Sequence, residues 1–152
     1  MKMNVKGNDG FETPDFLYRQ LDRVFNFTLD AACTTANCKA PRGLYFDQGI
    51  NALQTSWGGE RVFCNPSFSQ KAAFIAKAYD EVINGDCAIV VMVLPSNCTD
   101  CRAFHQYIYK KFFYEILSGR VSFVDPATGR AAKGNNSGTV IIYFKKDITA
   151  RE

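Results

Sequence analysis

The chain has 152 residues, 47% hydrophobic and 22% charged, with a net charge of +3. That is the size and composition of one folded domain, able to bury roughly 70% of its unfolded surface, and it excludes an intrinsically disordered chain. The longest apolar run, Cys87 to Pro95, falls far short of the roughly 20 residues that a membrane span requires, and the mild positive charge permits a polyanionic partner without requiring one.

Residues 1–10 are polar and glycine-rich and are read as a flexible N-terminal arm ahead of a single domain over 11–152. The arm has no apolar core region of the kind that directs export, so a cytoplasmic protein is expected. Thr13-Pro14 opens a helix, with Thr13 as its cap and Pro14 in its first turn. Phe16, Leu17, Leu21, Val24 and Phe25 give that helix one buried face, and Asn26 closes it. Phe27 to Ala31 follows as a short buried strand. From Cys33 to Gly59, Pro41 and four glycines interrupt every longer pattern, and a connection of that length inside a compact domain is usually functional.

Arg61 to Cys64 is the next strand, and it runs directly into Asn65-Pro66-Ser67-Phe68. Ser69 caps a helix reaching about Asn84, with Ala72, Ala73, Ile75, Ala76 and Tyr79 among its apolar positions, and Gly85 stops it. Cys87 to Leu94, rich in β-branched residues, reads as a central parallel strand buried on both faces and ended by Pro95. Asp100 to Lys111 is a helix with Phe104, Tyr107 and Ile108 inward. Phe112–Leu117, Arg120–Val124 and Gly138–Phe144 are further strands, and 125–137 is a flexible tip. Strands alternating with helices before a terminal antiparallel hairpin predict an α/β sandwich with a mixed, mostly parallel sheet.

Six cysteines in a chain without an export signal read as thiols. Cys64 and Cys87 lie in apolar runs and are core residues. Cys98 and Cys101 have zinc-ligand spacing, but Cys33 and Cys38 do not repeat it, so a zinc-stabilised DNA-binding module is the weaker reading and no metal is expected.

The chemistry gathers at Asn65 to Phe68. In an open α/β sheet, ligands bind beyond the carboxyl ends of the strands, and this tetrapeptide sits at one. A base's exocyclic amino nitrogen is a poor nucleophile because its lone pair is delocalised into the ring. Two acceptors holding both amino hydrogens favour a more tetrahedral, electron-rich nitrogen. Asn65 offers a neutral side-chain carbonyl, Pro66 a backbone carbonyl on a stiffened chain, and Phe68 a flat face for an extruded base. Neither a general base nor a metal is required. The bland alternative is a turn after a strand, for which Asn-Pro is equally suited.

Further segments carry a resemblance. Phe11-Glu12-Thr13-Pro14, Leu29-Asp30-Ala31-Ala32, Asn51-Ala52-Leu53 with Trp57, Asn65-Pro66 with Phe68, Leu94-Pro95, Thr99-Asp100, Phe104-His105 and Gly119-Arg120-Val121-Ser122-Phe123 follow one another in order. In these segments the chain resembles the phage and prophage DNA N-6-adenine methyltransferases, over most of its length. The resemblance implies a compact Rossmann-like fold and methyl transfer from S-adenosylmethionine to the amino group of adenine in double-stranded DNA, after base flipping. Asn65, Pro66, Ser67 and Phe68 would be catalytic. Phe11, Glu12, Thr13, Pro14, Asp30, Ala31, Ala32, Asn51 and Leu53 would hold the cofactor, with Asp30 accepting from its ammonium or a ribose hydroxyl.

Lys71, Thr99, Asp100, Arg102, Arg120, Arg130 and Lys133, in loops expected at the same edge, are the candidates for DNA contact, and His105 has a structural or phosphate-binding role. Monomer and homodimer both remain open. Three departures stand out. Ser67 replaces a second proline, and Ile50 replaces an acid whose contact Asp47 or Gln48 is placed to assume. No glycine-rich loop follows Asp30, and the stretch to Cys64 is too short for two strand–helix units. A catalytically silent module that binds DNA or the cofactor, and a methyltransferase acting on the amino group of cytosine, are the other readings.

Overall fold

The protein is described by a computed structural model over residues 12–119, 121, 123–125, 127–131 and 138–146. The arm expected over residues 1–10 lies outside that range. Three helices and eight strands appear in it: α1 (Asp15–Phe25), β1 (Leu29–Cys33), β2 (Arg42–Tyr45), β3 (Arg61–Cys64), α2 (Lys71–Ile83), β4 (Ile89–Pro95), α3 (Arg102–Tyr107), β5 (Phe113–Ile116), β6 (Val124–Asp125), β7 (Arg130–Ala131) and β8 (Thr139–Phe144). Six strands form one sheet in the order β2-β1-β3-β4-β8-β5. Strands β2, β1, β3 and β4 are parallel, and β8 runs antiparallel between β4 and β5. The expected mixed, mostly parallel α/β sheet is therefore present.

Alternation along the strands divides the core into two layers. Val62 and Cys64, Val90, Met92 and Leu94, and Val140, Ile142 and Phe144 face the layer that contains Trp57, Phe74, Ile75, Phe104 and Ile108. Phe63, Ile89, Val91, Val93, Ile141 and Tyr143 face the layer made by Leu17, Tyr18 and Leu21 of α1. Helices thus cover both faces. Strand β4 is buried along its length to Leu94, as its unbroken apolar run predicts, and Pro95 is its last residue. Cys64 and Cys87 are core residues.

Several boundaries differ from the sequence reading, each for a local reason. Helix α1 starts at Asp15, with Pro14 rather than Thr13 in the cap position, and Asn26 ends it in the left-handed conformation at φ 55°. Its buried stripe is Leu17, Tyr18 and Leu21, while Phe16 and Val24 are 57% and 73% exposed. Leu17 and Leu21 of the expected face are kept, and Tyr18 joins them with its ring edge-on to Phe63, centroids 5.0 Å apart. Strand β1 begins at Leu29, two residues late. Asn26, Phe27 and Thr28 turn the chain, and Phe27 N–H donates to Asp22 Oδ1 at 2.8 Å.

The 33–59 segment is not all loop, since it contains β2 and a single 3-10 turn at Phe46–Gln48. A 3-10 turn at Phe68–Gln70 precedes α2, so Gln70 rather than Ser69 is its cap. Its buried positions are Phe74, Ile75, Ala78, Glu81 and Val82, with Ala72 and Ala73 exposed. Helix α3 is only Arg102–Tyr107. Of the strand expected over 120–124, the described residues show Val124 in β6, which pairs with β7. The antiparallel pair at the sheet's end is instead β5 with β8.

Candidate active site at the carboxyl edge of the sheet

Strand β1 pairs with β2 on one side and with β3 on the other, and all three run the same way. The chain leaves β1 first toward one edge and later returns on its opposite side, which makes the carboxyl ends of β1 and β3 a topological switch point, the place where open α/β sheets bind ligands. The register Leu29↔Val62 and Asp30↔Phe63, carried forward two residues, brings Ala31 and Ala32 beside Cys64 and Asn65. Two segments far apart in sequence, both singled out from it, meet here.

Asn65 is half-buried, Pro66 and Ser67 are buried, and Phe68 is 42% exposed. Ser67 has φ −59° and ψ 147°, within the range a proline ring imposes. Its hydroxyl donates to Gln70 Oε1 at 3.3 Å, and Gln70 N–H donates to its carbonyl at 3.0 Å. The backbone course a second proline would enforce is therefore kept by a one-turn hydrogen-bonded cap. The Lys71 ammonium lies 3.5 Å from the centre of the Phe68 ring, a cation–π contact that engages one face of an exposed aromatic.

Strand β4 pairs with β3 through Cys64↔Met92 and ends at the same edge. The 3-10 turn Ser96–Asp100 follows, held by Thr99 Oγ1 donating to Ser96 O at 2.9 Å and by Ser96 N–H donating to Gly138 O at 2.9 Å. Asp100 and Arg102 are exposed beside it. Cys98 is 1% exposed, and burial pushes its thiol up to about 12. His105 is exposed and packs its ring against Phe104 and Tyr109. Among the described residues the four cysteines form no common cluster; Cys33 and Cys38 gather around Asp30 instead.

On the β1 side, Asp30 is 2% exposed. Its two carboxylate oxygens accept from Ala32 N–H at 3.2 Å and Lys39 N–H at 3.0 Å. Burial pushes its acid up to about 6, and those backbone donors only partly offset the desolvation. Asp30 thus holds residues 34–41 against the end of β1. Asp47 reinforces the loop by accepting from Thr35 N–H at 3.1 Å and Thr35 Oγ1 at 2.6 Å. Asn51 is exposed and its side-chain oxygen accepts from Leu53 N–H at 3.0 Å, while Leu53 is half-buried.

Glu12 exchanges both backbone hydrogen bonds with Val124, each 2.9 Å, which ties the start of the domain to the β6–β7 hairpin that carries exposed Arg130. Thr13 is 2% exposed, and its hydroxyl has no hydrogen-bond partner among the described residues. A cleft of about 340 Å³ lies between α1 and the β1–β2 connection, lined by Glu12, Asp15, Tyr18, Arg19, Ala36, Asn37, Cys38 and Lys39. The tetrapeptide is not part of its lining. Phe11, Arg120 and Lys133 lie outside the described residues. Sequence reasoning did not find Tyr18 or Lys39, because a backbone donor and a ring packed under a loop leave no local pattern.

The DNA N-6-adenine-methyltransferase (Dam) family matches residues 1–152. A DNA N-6-adenine-methyltransferase of Escherichia phage T1 is 28% identical over 91% of this chain and 63% of its own length. One of Haemophilus phage HP1 is 24% identical over 95% of this chain and 84% of its own length. The chain thus spans somewhat under two thirds of the phage T1 relative. With a match over its whole length, the chain belongs to the DNA N-6-adenine-methyltransferase family.

Proposed function

We propose that the protein transfers the methyl group of S-adenosylmethionine to the exocyclic amino nitrogen of adenine in double-stranded DNA. The observation that carries this reading is the position of Asn65-Pro66-Ser67-Phe68 at the end of β3, beside the end of β1, at the sheet's switch point. A mostly parallel sheet with one antiparallel strand between its last two parallel strands supports a Rossmann-like methyltransferase fold. Among the described residues no helix is long and apolar enough to cross a membrane, in keeping with work on DNA in the cytoplasm of a host cell, as a monomer or homodimer.

The Asn65 side-chain carbonyl and the Pro66 backbone carbonyl accept the two amino hydrogens of a flipped adenine. They concentrate the nitrogen's lone pair and stabilise the positive charge that develops on it. Phe68 stacks on the base, worth about 1–3 kcal/mol. Bound S-adenosylmethionine supplies an electrophilic methyl group and a neutral leaving thioether. Glu12, Thr13, Pro14, Ala31, Ala32, Asn51 and Leu53 are the residues that would hold it, with Phe11 preceding them. The orphaned Thr13 hydroxyl supports this fit, since a buried polar group without a partner costs about 1–3 kcal/mol that a ligand can return. Asp30 acts through the loop that it ties down, as a positioning residue. Lys71, Thr99, Asp100, Arg102 and Arg130, together with Arg120 and Lys133, contact the DNA backbone and flanking bases.

Nucleoside analysis tests the reading. Unmethylated duplex DNA incubated with labelled S-adenosylmethionine should give label in N6-methyladenine. Label in cytosine, or none from protein that binds the cofactor, would refute it.

A further inference from the structure

Three metal-ligating groups meet beneath the β1–β2 connection: the Asp30 carboxylate, Cys33 Sγ and Cys38 Sγ, with all their ligand atoms within 4.8 Å of one another. The chain brings them together by its topology. Asp30 is the second residue of β1 and Cys33 its last, with the β1–β2 register shifting between them, and residues 34–41 alone return the chain to a parallel neighbour, where a dozen or more residues and a helix are usual. The return is tight because Thr34 N–H donates to Asn37 Oδ1 at 2.6 Å and Lys39 N–H to Asp30 at 3.0 Å, which folds Cys38 back over β1. Gly43, paired with Asp30, makes the room. A Cβ there would stand 2.7 Å from each of the two sulfurs.

The electrostatics favour a cation. Asp30 and Cys33 are 2% and 1% exposed, and the ammonium of adjacent Lys39 is committed to Asp15 at 2.6 Å. The buried carboxylate therefore has no direct cationic partner among the described residues, and of its roughly four acceptor directions two are filled by Ala32 and Lys39 N–H. Two sulfurs and one carboxylate oxygen form a borderline-soft donor set suited to zinc, with Zn–S near 2.3 Å and Zn–O about 2.0–2.2 Å. Two thiolates on a tetrahedral zinc stand about 3.8 Å apart, so the cluster needs only a small contraction.

We propose that Asp30, Cys33 and Cys38 form a zinc site that staples the helix-free β1–β2 connection, with water as the fourth ligand. Binding forms two Zn–S bonds and one Zn–O bond and releases the two thiol protons to solvent. The proposal is independent of methyl transfer, and its test needs neither DNA nor S-adenosylmethionine.

The whole chain, purified with reductant and stripped of metal, is titrated with Co²⁺. One equivalent should produce thiolate-to-cobalt charge-transfer absorption in the near ultraviolet, and zinc should abolish it. Cys38→Ser should lose the band with its circular dichroism intact, whereas Cys101→Ser should keep it. In the unmodified chain, zinc should protect the half-buried Cys38, but not the half-buried Cys101, from alkylation read by mass spectrometry. No band, a band that survives Cys38→Ser, alkylation indifferent to zinc, or a Cys33–Cys38 disulfide in place of metal uptake would each overturn the site.

Discussion

Phe68 keeps 42% of its surface exposed although it follows a buried proline and a buried serine, and the Lys71 ammonium engages one of its faces. An aromatic ring held out at a sheet's carboxyl edge is costly in water and useful to an unstacked base. Phe68→Ala should lower kcat/KM about 5- to 150-fold, the equivalent of about 1–3 kcal/mol, and Phe68→Trp should recover most of it in steady-state assays. Ser67 already has proline-compatible backbone angles, φ −59° and ψ 147°. Ser67→Pro should therefore fold, retain methylation and raise stability by up to about 1 kcal/mol in a thermal melt. A misfolded or inactive variant would mean that the serine hydroxyl or its N–H is needed. At this scale the placement of the tetrapeptide at the end of β3 was legible, because it follows directly on an apolar strand in the sequence. The partners of Asp30 were not, because they are backbone N–H groups of Ala32 and Lys39 whose positions depend on how a loop returns.

The stretch from Asn51 to Glu60 has no long element, yet it is anchored by a buried knot. Trp57 is fully buried, its indole N–H donates to Ala52 O at 3.1 Å, and its backbone N–H donates to Glu81 Oε2 at 3.1 Å. Lys77 pairs with the other Glu81 oxygen at 2.5 Å and lies 5.5 Å from the Trp57 ring centre. Trp57→Ala should cost about 3–5 kcal/mol in urea unfolding. Glu81→Ala should cost less, about 1–3 kcal/mol, for the buried N–H left without its acceptor. A loss near zero for both would remove the knot from the account.

Elements with a strong internal pattern, β3 and β4, were readable to within a residue or two. Strand β2 was not, because Arg42-Gly43-Leu44-Tyr45 shows no alternation and becomes a strand only by lying along β1.

Across the whole molecule, the pairing of Glu12 with Val124 joins the segment proposed to hold the cofactor to the hairpin proposed to meet DNA. Ordering one end should therefore assist the other, a reciprocal coupling. S-adenosylhomocysteine should tighten DNA binding in fluorescence anisotropy. Val124→Pro, which removes the N–H that donates to Glu12, should reduce that effect toward none while the sheet's circular dichroism is unchanged. Equal enhancement in both proteins would disconnect the two ends. Exposed Arg130 belongs to the same scale, and Arg130→Gln should lower the salt slope of DNA binding by about 1. The sequence foretold the sheet's mixed, mostly parallel class, since strand–helix alternation is a pattern along the chain. It did not foretell the bridge between the two ends, which joins a residue before α1 to one after β5 with nothing local to mark it.

The central claim is that Asn65 activates the amino group, and a single-turnover methylation assay on unmethylated duplex DNA, comparing the wild type with Asn65→Ala, tests it most directly. The account predicts N6-methyladenine from the wild type and loss of transfer in the variant, with S-adenosylhomocysteine affinity preserved. An Asn65→Ala protein that methylates adenine at the wild-type rate would contradict it.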